Sequence, residues 1–207
     1  VLVGWQFACT ETALLARGGH TYNINNCVIT GFMNAVNIRD VDQANLLGNT
    51  WYVPTITNMF ITGNHTLKNN LFFGQEKQKV FQYAPMVSSL QPTVSNYNAY
   101  YFGTLNTVRY IGYGIQHTTE TNMGGLARIQ KELNIDLNSL EPALADVQIT
   151  GPAPNNYFDD IALGAFARQI AEGTLVPTIG MFTPPANSRL NTMGENGAAI
   201  GARPVVP

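Results

Sequence analysis

Charge is what this sequence has least of. Only 12% of its 207 residues are charged, 11 Lys and Arg against 13 Asp and Glu, about half the usual share of roughly 25%. The net charge is −2, and the densest basic run is Lys77 and Lys79 beside Glu76. A tight electrostatic grip on nucleic acid needs clustered cations, so sequence-specific nucleic-acid binding is not expected. Cysteine is almost as rare. Cys9 and Cys27 do not make a disulfide framework for a chain this long and read as reduced, small apolar residues, with a single bridge as the alternative. The three histidines, His20, His65 and His117, stand in no HExxH pattern and at no i, i+4 spacing. Cys9, His20 and Cys27 match no compact ligand hairpin, so no metal site is expected. No apolar run approaches the ~18 residues of a membrane span, and a membrane is not an expected partner.

Chemical motifs are missing too. Gly112-Tyr-Gly114 and Gly197-Ala-Ala-Ile-Gly201 have neither GxGxxG nor GxxxxGK[ST] spacing and follow no clear strand. No cofactor is expected. There is no GxSxG elbow and no Ser beside a His. Asp159-Asp160 follows a Pro/Gly/Asn loop, where paired carboxylates suit glycoside or phosphoryl chemistry. The same position compensates a helix N-terminal dipole without further assumption. Glu120 lies near His117, but an acid–base pair without a nucleophile says little about catalysis. If the chain is an enzyme, Asp159, Asp160 and Glu120 are its carboxylates; otherwise no residue is catalytic. Asn64-His-Thr66 is a lone glycosylation sequon.

What the chain does have is amides and hydroxyls, 22 Asn and 20 Thr. Neutral polar groups are cheaper to desolvate than ions, so a skin rich in them suits burial against neighbouring copies. The chain ends, Val1-Leu2-Val3-Gly4 and Ala202-Arg-Pro-Val-Val-Pro207, read as connectors, so a piece of a longer polyprotein or shell protein is expected.

Residues 95–116 read as the central element. On a 3.6-residue period Tyr97, Tyr101, Leu105, Val108, Ile111 and Ile115 fall on one stripe, with Ser95 as N-cap. Gly103, Gly112 and Gly114 would then admit a closely packed backbone. Further helices are expected over 5–17, 40–48, 53–63, 64–74, 75–83, 126–133, 139–146 and 157–172, from capping residues, apolar spacing and, for 75–83, an exposed charged composition. For 53–63 a strand is a real alternative. Residues 20–30 alternate weakly and suit a strand or an extended arm. No internal repeat is read. The expected fold is therefore mainly α, a helical domain over 1–182 around a central Gly-containing helix with a few short strands. From Thr183 onward, Pro and Gly forbid regular structure, and 183–207 is expected to be an extended or disordered arm.

Tyr97, Tyr100, Tyr101, Phe102, Tyr110 and Tyr113 could form a base-stacking or sugar-binding platform. Such platforms for nucleic acid interleave Lys or Arg, and only Arg109 is present. An interhelical or intersubunit seam is the better reading, with Pro184 and Pro185 of the arm as further interface candidates.

The texture of Asn96-Tyr-Asn-Ala-Tyr-Tyr-Phe102 and Pro154-Asn-Asn-Tyr157 resembles that of the mainly helical shell proteins of double-stranded RNA viruses of the totivirus and partitivirus kind. That resemblance implies a structural capsid subunit of the virion, in the host cytoplasm, that self-assembles without catalysis. Its partners would be other copies of itself and other shell chains. Two other readings remain: a secreted hydrolase acting on polysaccharide, and a secreted helical binding module.

Overall fold

A computed structural model describes residues 2–3, 12–30, 34–39, 42–53, 59–61, 64–74, 79–82, 94–101, 109–111, 126–127, 130–131, 134–148, 169 and 172–205. It overturns the mainly α expectation. The described chain is built from fourteen short strands in three all-parallel sheets. The first sheet contains β1 (Leu2–Val3), β4 (Val28–Thr30), β7 (Thr50–Val53), β10 (Leu71–Gly74) and β13 (Ala99–Tyr101). The second contains β2 (Thr12–Arg17), β5 (Asn34–Arg39), β8 (Met59–Ile61), β11 (Lys79–Gln82) and β14 (Arg109–Ile111). The third contains β3 (Thr21–Asn25), β6 (Gln43–Leu47), β9 (Asn64–Lys68) and β12 (Val94–Asn96). Every strand pairs with the strand three places along in sequence. The backbone therefore winds as a coil of three strands per turn, a parallel β-solenoid.

The central helix expected over 95–116 is the clearest correction. Its described residues are the end of β12, the turn at Tyr97 and Asn98, β13 and β14, with one strand in each sheet. The helices expected over 40–48 and 64–74 are likewise β6, β9 and β10, and β2 occupies part of 5–17. Only Leu126, Ala127, Gln130, Lys131 and Gln169 are α-helical among the described residues. The stretch 20–30 is strand, as its alternation indicates.

A two-residue turn from the third sheet to the first recurs in each coil and fixes its pitch. Its first residue is left-handed: Asn26 (φ 53), Gly48 (φ 64), Asn69 (φ 58) and Tyr97 (φ 57). Glycine and asparagine tolerate this conformation at low cost; a tyrosine does not. The second residue is Cys27, Asn49, Asn70 or Asn98, and the asparagines stack into a buried ladder. Asn70 Oδ1 accepts from Asn49 N at 3.1 Å and from Asn49 Nδ2 at 3.0 Å, while Asn70 Nδ2 donates to Leu46 O at 2.8 Å. Asn49 treats the coil before it in the same way, accepting from Cys27 N and donating to Ile24 O. Asn98 repeats the pattern on Asn70 and Leu67 O. These amides satisfy backbone groups that a tight buried turn would otherwise leave unpaired.

Inside the coil Trp51, Phe72 and Tyr100 stack one above another. Centroids are 6.2 Å and 5.0 Å apart, with interplanar angles of 7° and 8°. Ala44, Leu46, His65 and Leu67 of the third sheet are buried with them. Successive side chains of a strand point to opposite faces, so Leu71 and Phe73 leave the coil on the outside of the first sheet. They too are buried, with Val28 and Ala99, under Val147, Phe182, Leu190, Ile200 and Ala202. Burial on both faces explains the unbroken apolar run Leu71-Phe-Phe73.

Most of the cover is the C-terminal stretch, whose residues from Thr183 onward are expected from sequence to form an extended or disordered arm. Its backbone is irregular, with 3-10 turns at Ile179–Phe182, Arg189–Asn191 and Glu195–Gly197, yet it lies on this chain's own solenoid. It runs back across the coils. Gly201 N donates to Asn69 O, Ala202 N to Thr50 Oγ1 and Arg203 N to Asn26 Oδ1, at 2.7, 2.9 and 2.7 Å. Gly201 has φ 85, and a Cβ there would sit 2.9 Å from Thr50 Oγ1. Arg189 grips Asp146 at 2.8 Å through Nη2 and 3.0 Å through Nε, fastening this cover to the loop before it. That hydrogen-bonded guanidinium holds the Asp146 carboxyl below the usual carboxylate range.

Candidate functional site

The residues expected to act fall in scattered places. Asp159, Asp160, Glu120, Tyr113, His117 and Cys9 lie outside the described residues. Tyr100 is buried in the lumen of the coil. Tyr101 stacks on Phe73 at 5.0 Å beneath the C-terminal cover, where burial raises its hydroxyl pKa. Tyr97 occupies a turn, Tyr110 lies in β14, Pro184 is buried and Pro185 half-buried. Among Tyr97, Tyr100, Tyr101, Pro184 and Pro185, the ones whose side chains are described, no single surface collects them. Cys27 is a free thiol, and no cluster of three His, Cys, Asp or Glu is present among the described residues. No helix among those residues is long and apolar enough to cross a membrane.

A buried cluster around Asp136 closes the asparagine ladder. Where a further ladder asparagine would stand, Ser139 Oγ accepts from Asn98 N at 2.8 Å, and Leu140 pairs with Ala99. Asp136, 1% exposed and left-handed (φ 55), accepts from Ser139 Oγ at 2.6 Å, Ser95 Oγ at 2.8 Å and Asn98 Nδ2 at 3.0 Å. Burial raises its pKa, and the hydroxyl and amide donors oppose that shift. The cluster terminates a row of hydrogen bonds. With its members this deeply buried, it offers a substrate nothing to touch.

The outer face of the third sheet is different. Its strands keep one register from β3 through β6 to β9, Thr21–Asn25 against Gln43–Leu47 against Asn64–Lys68, and β12 continues it. Alternation turns Ala44, Leu46, His65, Leu67 and Ser95 inward. Outward it leaves three rows. Thr21 and Gln43 begin the first, Asn23, Asn45, Thr66 and Val94 form the second, and Asn25, Leu47, Lys68 and Asn96 form the third. These side chains are exposed or half-exposed. Neighbours within a row stand about 4.8 Å apart, so amides can bond sideways, as Asn45 Nδ2 does to Asn23 Oδ1 at 2.8 Å; along β6, Gln43 Nε2 donates to Asn45 Oδ1 at 3.2 Å. Lys68 is the only ionisable outward side chain described here, and Glu195 holds it at 2.6 Å.

No family model, curated protein or solved structure matches this chain. The site therefore rests on its own geometry. Sequence reasoning missed it because its residues carry no reactive group. The signal that was available is the alternation in Asn23-Ile-Asn25, Gln43-Ala-Asn45-Leu-Leu47 and Asn64-His-Thr66-Leu-Lys68, each followed within two residues by the turn.

Proposed function

We propose that this protein is a non-catalytic binding solenoid whose third-sheet face takes an uncharged, hydroxyl-rich polymer, a neutral polysaccharide. The observation that supports it is a face of repeated amides and hydroxyls whose one cation is already neutralised. Such groups exchange water for sugar hydroxyls without the desolvation cost of an ion, and each exchange is worth about 1 kcal/mol net. The coil repeats the same row positions, so a polymer of repeating units meets the same contacts again and gains by multivalency.

Affinity electrophoresis through gels containing a neutral galactan or mannan tests this reading. The expected result is retardation of the wild type, and an affinity weakened about tenfold in an N23A/N45A variant that loses two hydrogen-bonding side chains. Unretarded migration through a panel of neutral polysaccharides overturns it. A self-assembling structural subunit is the second reading, favoured by the low surface charge alone; light scattering at high concentration separates it, since a binding module stays monomeric.

A further inference from the structure

We propose that Glu195 is a specificity-determining residue of the third-sheet face, setting its preference for neutral over acidic polysaccharide. This rests on the binding reading above. Lys68 stands in the third outward row between Leu47 and Asn96, with no other ionisable side chain described on that face. A bare lysine there would make the face a cation-bearing strip, suited to uronate chains. Its Nζ is instead held 2.6 Å from Glu195 Oε1, with the two side chains 25% and 36% exposed.

The carboxylate is delivered from outside the solenoid by a loop built for close approach. Glu195 N donates to Asn69 Oδ1 at 2.9 Å, so the turn residue next to Lys68 fixes the backbone of its partner. The loop closes on itself through Gly194 N to Ala198 O at 2.8 Å and Ala198 N to Glu195 O at 3.1 Å. A Cβ on residue 194 would lie 2.6 Å from Ala198 O and 2.8 Å from Asn69 Oδ1, so only glycine fits there. An ion pair this exposed adds little to stability. Its consequence is electrostatic: it removes the single positive charge from a surface of neutral hydrogen-bonding groups, while leaving the acid itself engaged.

The test uses the full chain as E195Q, K68A and the E195Q/K68A double variant, run through gels containing polygalacturonate or a neutral galactan. E195Q keeps the size and hydrogen-bonding reach of the side chain and frees the ammonium. The expected result is a gain of about tenfold in affinity for polygalacturonate, abolished by raised salt and absent from the double variant, with galactan binding changed less than about twofold. An unchanged polygalacturonate affinity in E195Q overturns the inference, as does a wild type that already binds polygalacturonate as tightly as E195Q. The gain on polygalacturonate is read whether or not the wild type binds galactan. Failure of the neutral-polymer reading, which appears as no galactan binding, is thus distinguished from failure of this one. Thermal unfolding of E195Q within a few degrees of the wild type shows that the change is one of charge.

Discussion

The outer faces of the first and third sheets share one backbone winding and one register, yet they have opposite fates. On the first, Val28, Leu71, Phe73 and Ala99 are apolar and lie under the C-terminal cover. On the third, Asn23, Asn25, Gln43, Asn45 and Thr66 are polar and open to water. The solenoid supplies rows at a fixed spacing, and the side chains in the rows decide whether a face is core or surface. The comparison also gives the low charge a local cause. Like charges directly opposite on paired strands destabilise a sheet, and in a solenoid every outward residue has such neighbours on both sides. Asparagine and threonine avoid the repulsion and bond sideways, as Asn45 does to Asn23. Scarcity of ions is then a property of stacking and needs no covering protein.

Making the covered face resemble the open one produces the largest effect. Phe73→Asn buries an amide where the cover has no partner for it and removes a ring stacked on Tyr101. A loss of about 3–5 kcal/mol in denaturant unfolding is expected, with earlier proteolytic cleavage within 172–205. The converse substitution on the open face, Asn45→Leu, should change stability by no more than about 0.5 kcal/mol. Equal effects from the two would erase the distinction between the faces.

Next in size is the ladder beneath both faces. Asn70→Ala leaves Asn49 N, Asn49 Nδ2 and Leu46 O without their partner in a buried turn. A cost of about 3 kcal/mol follows from unpaired buried groups, measured by urea titration.

The ladder's acidic terminus adds a pH dependence. Asp136 has a raised folded-state pKa, so between the unfolded and folded values the native state holds the proton and the unfolded state does not. Stability falls as pH rises through that window, and the buried charge costs most above it. Asp136→Asn keeps an acceptor for Asn98 and removes the ionisation. The variant is expected to gain on the wild type as pH rises from the acid side, with the difference shrinking again below the usual carboxylate range. Unfolding midpoints across acid to neutral pH show it; a difference independent of pH would contradict the burial of the charge.

The smallest effect belongs to the turn column. Tyr97 is left-handed where the other coils carry Asn26, Gly48 and Asn69, so Tyr97→Asn should stabilise by about 0.5 kcal/mol. A loss greater than about 1 kcal/mol would mean that the ring's packing outweighs the backbone.

These residues also show what was legible beforehand. Tyr22 and Ile24 alternate, weakly but enough to suggest the strand that β3 proves to be. The strands of residues 95–116 do not, because β12 and β13 are three-residue strands split by a two-residue turn, which places apolar residues at spacings that fit a helix equally well. Tyr97 and Tyr101, assigned to one helical stripe, are a left-handed turn residue and the end of β13. Asn64, at the start of the helix expected over 64–74, belongs to β9, and Gly48, at the end of that expected over 40–48, is a turn residue. The repeat itself went unread. Cys27 to Asn49, Asn49 to Asn70 and Asn70 to Asn98 are separated by 22, 21 and 28 residues, and Cys27 and Tyr97 interrupt its Asn/Gly pattern. The cap was out of reach of any local pattern, since Asp136 meets Ser95 across 41 residues. The open face was legible as alternation, but amides announce no chemistry.

A double-mutant cycle in the second outward row tests the stacking account most directly. Asn45 and Thr66 are register partners on β6 and β9. N45D and T66D should each be tolerated alone, while together they should lose about 1 kcal/mol beyond the sum of the two, and N45D with T66K should lose none. Additive behaviour in both pairs, with no coupling of either sign, would contradict it: the two side chains would not be neighbours in a parallel coil.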